Sequence, residues 1–268
     1  MENKNRTTFY RDKLNDLYNQ CNRRRYVHPD PLEFLYSYKQ IKDREIVGLI
    51  ASSLAYGRVR QILKSVWFVL DIMGKSPYLF LKQSSYNDIC KSFRGFTHRF
   101  SKDSHLADLL WGIKNVIARF GSLNQCFLEG ISSEHKDIIP GMTFFTDQLL
   151  TEKRNSGHLV ALPEKGSACK RMNLFLRWMV RKDKVDPGGW EGIPLSWLII
   201  PLDTHMHKIG IGLKFTERKQ ASMRTAIEIT ECFKKIDPGD PVKYDFALTR
   251  LGIRDDMNIG DFIGLINS

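Results

Sequence analysis

Pro201-Leu202-Asp203-Thr204-His205-Met206-His207 is the stretch from which this chain of 268 residues is best read. Before it lies the apolar run Leu198-Ile199-Ile200, and Pro201 disfavours helix in the residue ahead of it. After it, Thr204 to Leu213 has helical spacing. Asp203 is therefore expected at a helix N-cap, accepting hydrogen bonds from the first backbone N–H groups. Capping is the commonest role for an aspartate so placed. A cap also fixes the direction of the carboxylate and keeps it ionised, which a reacting carboxylate requires.

Working back from Asp203, Gly166-Ser167-Ala168-Cys169-Lys170-Arg171 places Lys170 33 positions upstream. This lysine follows a glycine-containing turn and opens an apolar helix, Met172 to Val180, with Arg177 set into it. The loop Asp186-Pro187-Gly188-Gly189 follows, so helix, loop and return can bring Lys170 to Asp203. An amine held at a helix start can act as a nucleophile. Its plainer role is contact with phosphate or solvent.

Most other segments also show helical spacing, and strand-like alternation is scarce. The spacing predicts helices over Thr8–Cys21, Asp43–Leu54, Val59–Met73, Leu106–Phe120, Leu123–Leu128 and Ala221–Ile236, with a last one over Pro241–Leu251. Asp30-Pro31 is a further helix-start signal. Residues 132–140 and 152–165 are polar and aperiodic and are expected as loops. The fold class is thus all-α, with a subdomain boundary near residue 150.

Composition narrows the setting. The apolar fraction of 42% is that of a globular chain, and no segment approaches the ~20 apolar residues of a membrane span. Met1 to Arg6 lacks the apolar core of a signal peptide. The five cysteines are scattered, which suits a reducing, cytoplasmic compartment. Lys and Arg number 41 against 30 acids, a net charge of +11, which favours a polyanionic partner. The surplus is concentrated from Lys165 to Lys184, where seven basic residues accompany one acid, Asp183.

Two stretches together, Leu162-Pro163-Glu164-Lys165-Gly166-Ser167-Ala168-Cys169-Lys170 and Pro201 to Ile209, resemble the helix-hairpin-helix DNA glycosylase superfamily. There a Leu-Pro-Gly-hydrophobic-Gly hairpin precedes a catalytic lysine, and a Val-Asp-Thr-His type segment supplies an aspartate. Ile50-Ala51-Ser52-Ser53-Leu54 and Tyr244 to Gly252 are similar to an early and a closing helix of that superfamily. Nearly the whole chain also resembles the family of unknown function known as DUF2400. The departures are specific. Glu164 replaces the first hairpin glycine, Ala168 takes the lysine position of an ungapped match, and no cysteine follows Cys232 to hold an iron–sulfur cluster.

The resemblance implies two packed helical subdomains with a helix-hairpin-helix motif. Residues 1–40 would pack with the C-terminal subdomain, 41–150 would form a helical subdomain, and 151–268 would carry the motif. It implies excision of a damaged base from double-stranded DNA, with an oxidised purine such as 8-oxoguanine as the leading substrate. Lys170 would be the nucleophile, with Lys165 as the alternative amine, and Asp203 the carboxylate. Lys165, Gly166, Ser167, Arg171 and His205 would contact DNA. No cofactor and no metal is implied.

Two rival readings use the same residues. A metal-dependent hydrolase would need Asp203, His205 and His207 as ligands, but residues two apart do not share a helical face. A non-catalytic DNA- or RNA-binding protein of the same fold would need only the basic surface. Tyr56, Trp111, Trp178, Trp190 and Trp197 are the aromatic residues considered for stacking on bases, and Arg58 and Arg60 could reach a minor groove.

Overall fold

A computed structural model describes residues 2–150, 154–251 and 259–267. The helices in chain order are α1 (Glu2–Cys21), α2 (Ile41–Ser53), α3 (Val59–Met73), α4 (Pro77–Gln83) and α5 (Tyr86–Ser92). After a small hairpin, β1 (Thr97–His98) and β2 (Ser101–Lys102), come α6 (Asp103–Phe120), α7 (Leu123–Glu129) and α8 (Ile139–Leu149). The second half holds α9 (Lys170–Val180), α10 (Thr204–Gly212), α11 (Met223–Ile236), α12 (Asp245–Arg250) and α13 (Ile259–Asn267). The fold is accordingly all-α apart from the two-stranded hairpin. Among the described residues no helix is long and apolar enough to cross a membrane.

Local signals account for most boundaries. Ser85 and Asp88 close a capping box on α5, and Ser76 caps α4 with Pro77 in its first turn. These two helices are seven residues each, too short for apolar spacing to reveal, and only their caps announce them. Asp30 caps its element as expected, but the element is a 3-10 helix, Pro31–Ser37. Three-residue spacing lets Pro31, Leu32 and Leu35 all reach the core. The expected loop at 132–140 ends early, because α8 begins at Ile139 with Pro140 in its first turn. The last predicted helix starts only at Asp245, since turn bonds from Lys243 N to Asp240 O and Asp245 N to Val242 O occupy the residues before it.

α2 is the hub. Nearly every residue from Glu45 to Ser53 is buried, because α2 packs on α9, on the 3-10 helix at Pro31 and on α3, α4 and α7. A helix buried on all sides cannot show an amphipathic stripe. Its one deeply buried charge, Glu45, accepts hydrogen bonds from Leu123 N (3.0 Å), Asn124 N (3.3 Å) and Trp190 Nε1 (2.9 Å). That carboxylate ties α7 and a late loop to α2. α6 and α8 approach so closely that a Cβ on Gly112 would lie 2.2 Å from Leu149 O.

α1 packs on α11, α12 and α13. Arg11 Nε donates to Ile236 O (2.7 Å), and Asn15 Oδ1 accepts from Lys243 Nζ and Tyr244 OH (both 3.0 Å). Buried apolar side chains form one continuous cluster through both halves.

α9 is entered through an irregular stretch. Residues 154–169 hold two 3-10 turns, Gly157–Leu159 and Pro163–Lys165. Gly166 ends the second at φ +70°, and Cys169 enters α9 at φ +46°. Two left-handed residues in four reverse the chain there. Ser167 bridges to Ser222, and Met223 N donates to Gly166 O (3.3 Å), so the turn leans on the start of α11.

Candidate active site

Lys170 and Asp203 meet at the mouth of a cleft, with Lys170 Nζ 3.2 Å from Asp203 Oδ2. Their side chains remain 36% and 23% exposed. Each owes its place to a helix start. Lys170 is the first residue of α9, delivered by the Gly166–Cys169 reversal. Asp203 is the N-cap of α10, and its Oδ1 accepts from Met206 N at 2.8 Å. One carboxylate oxygen therefore holds the helix while the other faces the amine. The extended run before it is anchored by burial of Leu198 to Leu202 and by Ile200 N donating to Thr230 Oγ1 (3.0 Å).

The cleft encloses about 120 Å³. Its walls mix charge with apolar surface: Asp30, Arg177, Asp245 and Arg250 alongside Ala55, Ile62, Leu174, Trp178 and Phe246. Arg250 donates to Asp30 Oδ2 (3.0 Å) and Tyr26 O (3.2 Å), and its guanidinium lies over Phe246.

Behind the cleft runs a buried ionic network. Arg177 bonds Asp186 Oδ1 (3.2 Å) and Asp245 Oδ2, while Arg181 bonds Asp183 Oδ2 (2.9 Å), Asp186 Oδ2 and Asp240 Oδ2 (2.9 Å). Two guanidiniums thus serve four carboxylates. Burial pushes the Asp245 carboxyl up to about 6, against the pull of Arg177 and with the charge of Asp203 adding to the rise. Arg177 keeps its charge: burial opposes it, but Asp186 and Asp245 outweigh that cost. The network changes the meaning of the basic run 165–184. Arg177 and Arg181 are buried in ion pairs and give nothing to a phosphate surface, whereas Lys182 and Lys184 are exposed.

The remaining expected residues are distributed around this pair. Lys165, Gly166 and Ser167 lie exposed on the turn leading to α9, away from the cleft walls, so the amine beside Asp203 is that of Lys170. Arg171 turns inward, donating to Ser53 O (2.8 Å) and lying 4.9 Å over the Tyr56 ring. His205 is exposed in the first turn of α10. His207 Nε2 contacts Arg218 O at 2.7 Å, and among the described residues no cluster of three or more His, Cys, Asp or Glu is placed to hold a metal. Of the aromatic candidates, Tyr56 bonds His98 O and Ser101 Oγ, Trp190 is buried on Glu45, and Trp178 lines the cleft from within α9. Arg58 and Arg60 are exposed where α3 begins, on the chain between cleft residues Ala55 and Ile62.

Sequence reading did not single out Asp30, Asp245 or Arg250 for the site. The available signals were Arg177 within an apolar helix, which demands buried acids, and Asp245 and Arg250 in the otherwise apolar closing helix.

The chain belongs to the DUF2400 family of proteins of unknown function, whose model matches residues 30–254. No curated protein and no solved structure matches it.

Proposed function

We infer that this protein is a DNA glycosylase that removes a damaged base by attack of Lys170 on the sugar C1′. One observation carries the reading: a lysine and an aspartate 33 positions apart are brought within 3.2 Å at the mouth of a cleft with an apolar and charged lining. Double-stranded DNA binds across the mouth, and Arg58, Arg60, Lys165 and the turn at Gly166 and Ser167 are exposed outside the cleft to meet flanking phosphates. The target nucleotide leaves the stack, since a duplex hides C1′. Lys170 attacks as the neutral amine while Asp203, still a carboxylate, opposes the positive charge growing on the sugar; Asp203 then takes the proton that the Lys170 nitrogen sheds once its bond to C1′ has formed. The resulting Schiff base permits strand cleavage by elimination. An oxidised purine such as 8-oxoguanine remains the leading substrate.

Borohydride trapping on duplexes that each carry one damaged base tests this. A covalent protein–DNA adduct that disappears in Lys170→Ala is expected. Base release without an adduct, lost in Asp203→Asn, would make water the nucleophile. DNA binding with neither release nor adduct on any substrate would instead favour a non-catalytic binding protein, a reading to which Glu164 in the first hairpin-glycine position lends support.

A further inference from the structure

Asp245 stands apart from the other acids of the buried network. Its Oδ2 is held by Arg177, yet its Oδ1 has no hydrogen-bond partner among the described residues, although the side chain is 2% exposed. Asp186, by contrast, engages a guanidinium with each oxygen. Asp245 also lines the cleft, together with Trp178 and Arg250. Those two residues likewise each keep one buried polar atom without a partner, Trp178 Nε1 and Arg250 Nε. A cleft whose walls hold three unsatisfied polar atoms suits a polar occupant that supplies the missing partners.

The charges around Asp245 are unbalanced. Arg177 approaches it from α9 but is shared with Asp186 of the following loop. Asp203, at the start of α10, adds a second negative charge and is itself offset by Lys170. On α12 itself, Arg250 is paired with Asp30 across the cleft. From α1, Tyr18 packs its ring on the neighbouring Tyr244, and its hydroxyl is held by Asp183. Two guanidiniums face four carboxylates, and of the two that are fully buried, Asp186 and Asp245, one is best kept neutral. Oδ1 of Asp245 is the oxygen left free to carry that proton.

We propose that Asp245 is the acid that protonates the departing base, donating from Oδ1 as the glycosidic bond breaks; this rests on the glycosylase reading above. The Lys170 Nζ lone pair forms the bond to C1′. The C1′–N bond breaks with its electron pair moving onto the base, and the Oδ1 proton passes to an acceptor nitrogen or oxygen of that base. Asp245 is left as a carboxylate beside Arg177, whose charge stabilises it.

The test compares wild type with Asp245→Asn in single-turnover release of the excised base and of halogenated forms of it, which leave more readily. Asp245→Asn is expected to slow release of the poorest leaving group by about 10²-fold, within the usual range for a general acid, and to spare the best one. Wild-type release should fall as pH rises above about 6, and the variant should lose that dependence. Trapping on a pre-formed abasic site, where no base departs, should be unchanged. Equal slowing of every leaving group, or loss of abasic-site trapping, would make Asp245 a structural residue and overturn the proposal. A wild type that releases no base and traps no abasic DNA overturns the glycosylase reading and this proposal together. Should the variant fail to fold, wild-type data decide: a release rate indifferent to pH above about 6 sinks the idea.

Discussion

The molecule contains two kinds of ion pair a few residues apart on α9, and they behave oppositely. Lys170 and Asp203 meet at the surface, each partly solvated and each positioned by a helix end. Arg177, one side of the helix further in, is 3% exposed and locked between two carboxylates. The outer pair gains little from its contact, because solvent screens it. It can therefore be broken at little cost. The inner set cannot be broken cheaply, since removing one partner leaves the others charged and dry. A scaffold that places a rigid network behind a loose pair separates holding from reacting.

The sharpest way to break this comparison is Lys170→Ala. It should abolish adduct formation altogether while shifting stability by about 1 kcal/mol or less, as read by urea denaturation. A large stability loss would mean that the outer pair is structural after all. Arg177→Met should do the reverse, costing about 3–5 kcal/mol by leaving Asp245 without its cation and Asp186 with Arg181 alone. A small loss would show that the two acids share protons and do not need the guanidinium.

A control away from both pairs is Gly112→Ala, where the added methyl meets the Leu149 carbonyl. Overpacking there should cost about 1–3 kcal/mol and leave catalysis unchanged once the protein is folded. The smallest expected effect is on pH. The Asp245 carboxyl is raised from its ordinary 3.8 to about 6, so folding favours its protonated form. That contribution is complete below about pH 3.8 and is lost as pH rises through about 6. Thermal melts of wild type should decline over this window relative to Asp245→Asn, whose side chain does not titrate.

Much of this was readable from the sequence, for reasons that differ by region. α3, α6 and α11 expose one face and bury the other, so apolar spacing revealed α3 to the residue and the ends of α6 and α11, while their starts lie at Asp103 and Met223 and not at Leu106 and Ala221. α4 and α5 were too short for spacing, and β1–β2 offers two residues per strand. Lys170 and Asp203 were legible because each sits at a punctuated helix start, a signal that is local in the chain. Asp245 and Arg250 were not, because their roles depend on partners brought together by tertiary packing: Arg177 lies 68 positions from Asp245, and Asp30 lies 220 from Arg250. The charge run 165–184 misled for the same reason. Composition counts Arg177 and Arg181 as surface charge, and only the fold reveals the acids that bury them.

The packing of α1 has a consequence for how the chain is made. Its anchors are Ile236, Lys243 and Tyr244, near the opposite end of the sequence. A ribosome delivers these partners more than two hundred residues after α1, so the helix must wait for them before it finds its place. Glu45 finds Leu123 N and Asn124 N within the same half, but its third donor, Trp190 Nε1, comes only with the second. The first half of the chain thus leaves the ribosome with a helix whose anchors, and a carboxylate one of whose three donors, have yet to be translated, and its packing is completed only by the second half.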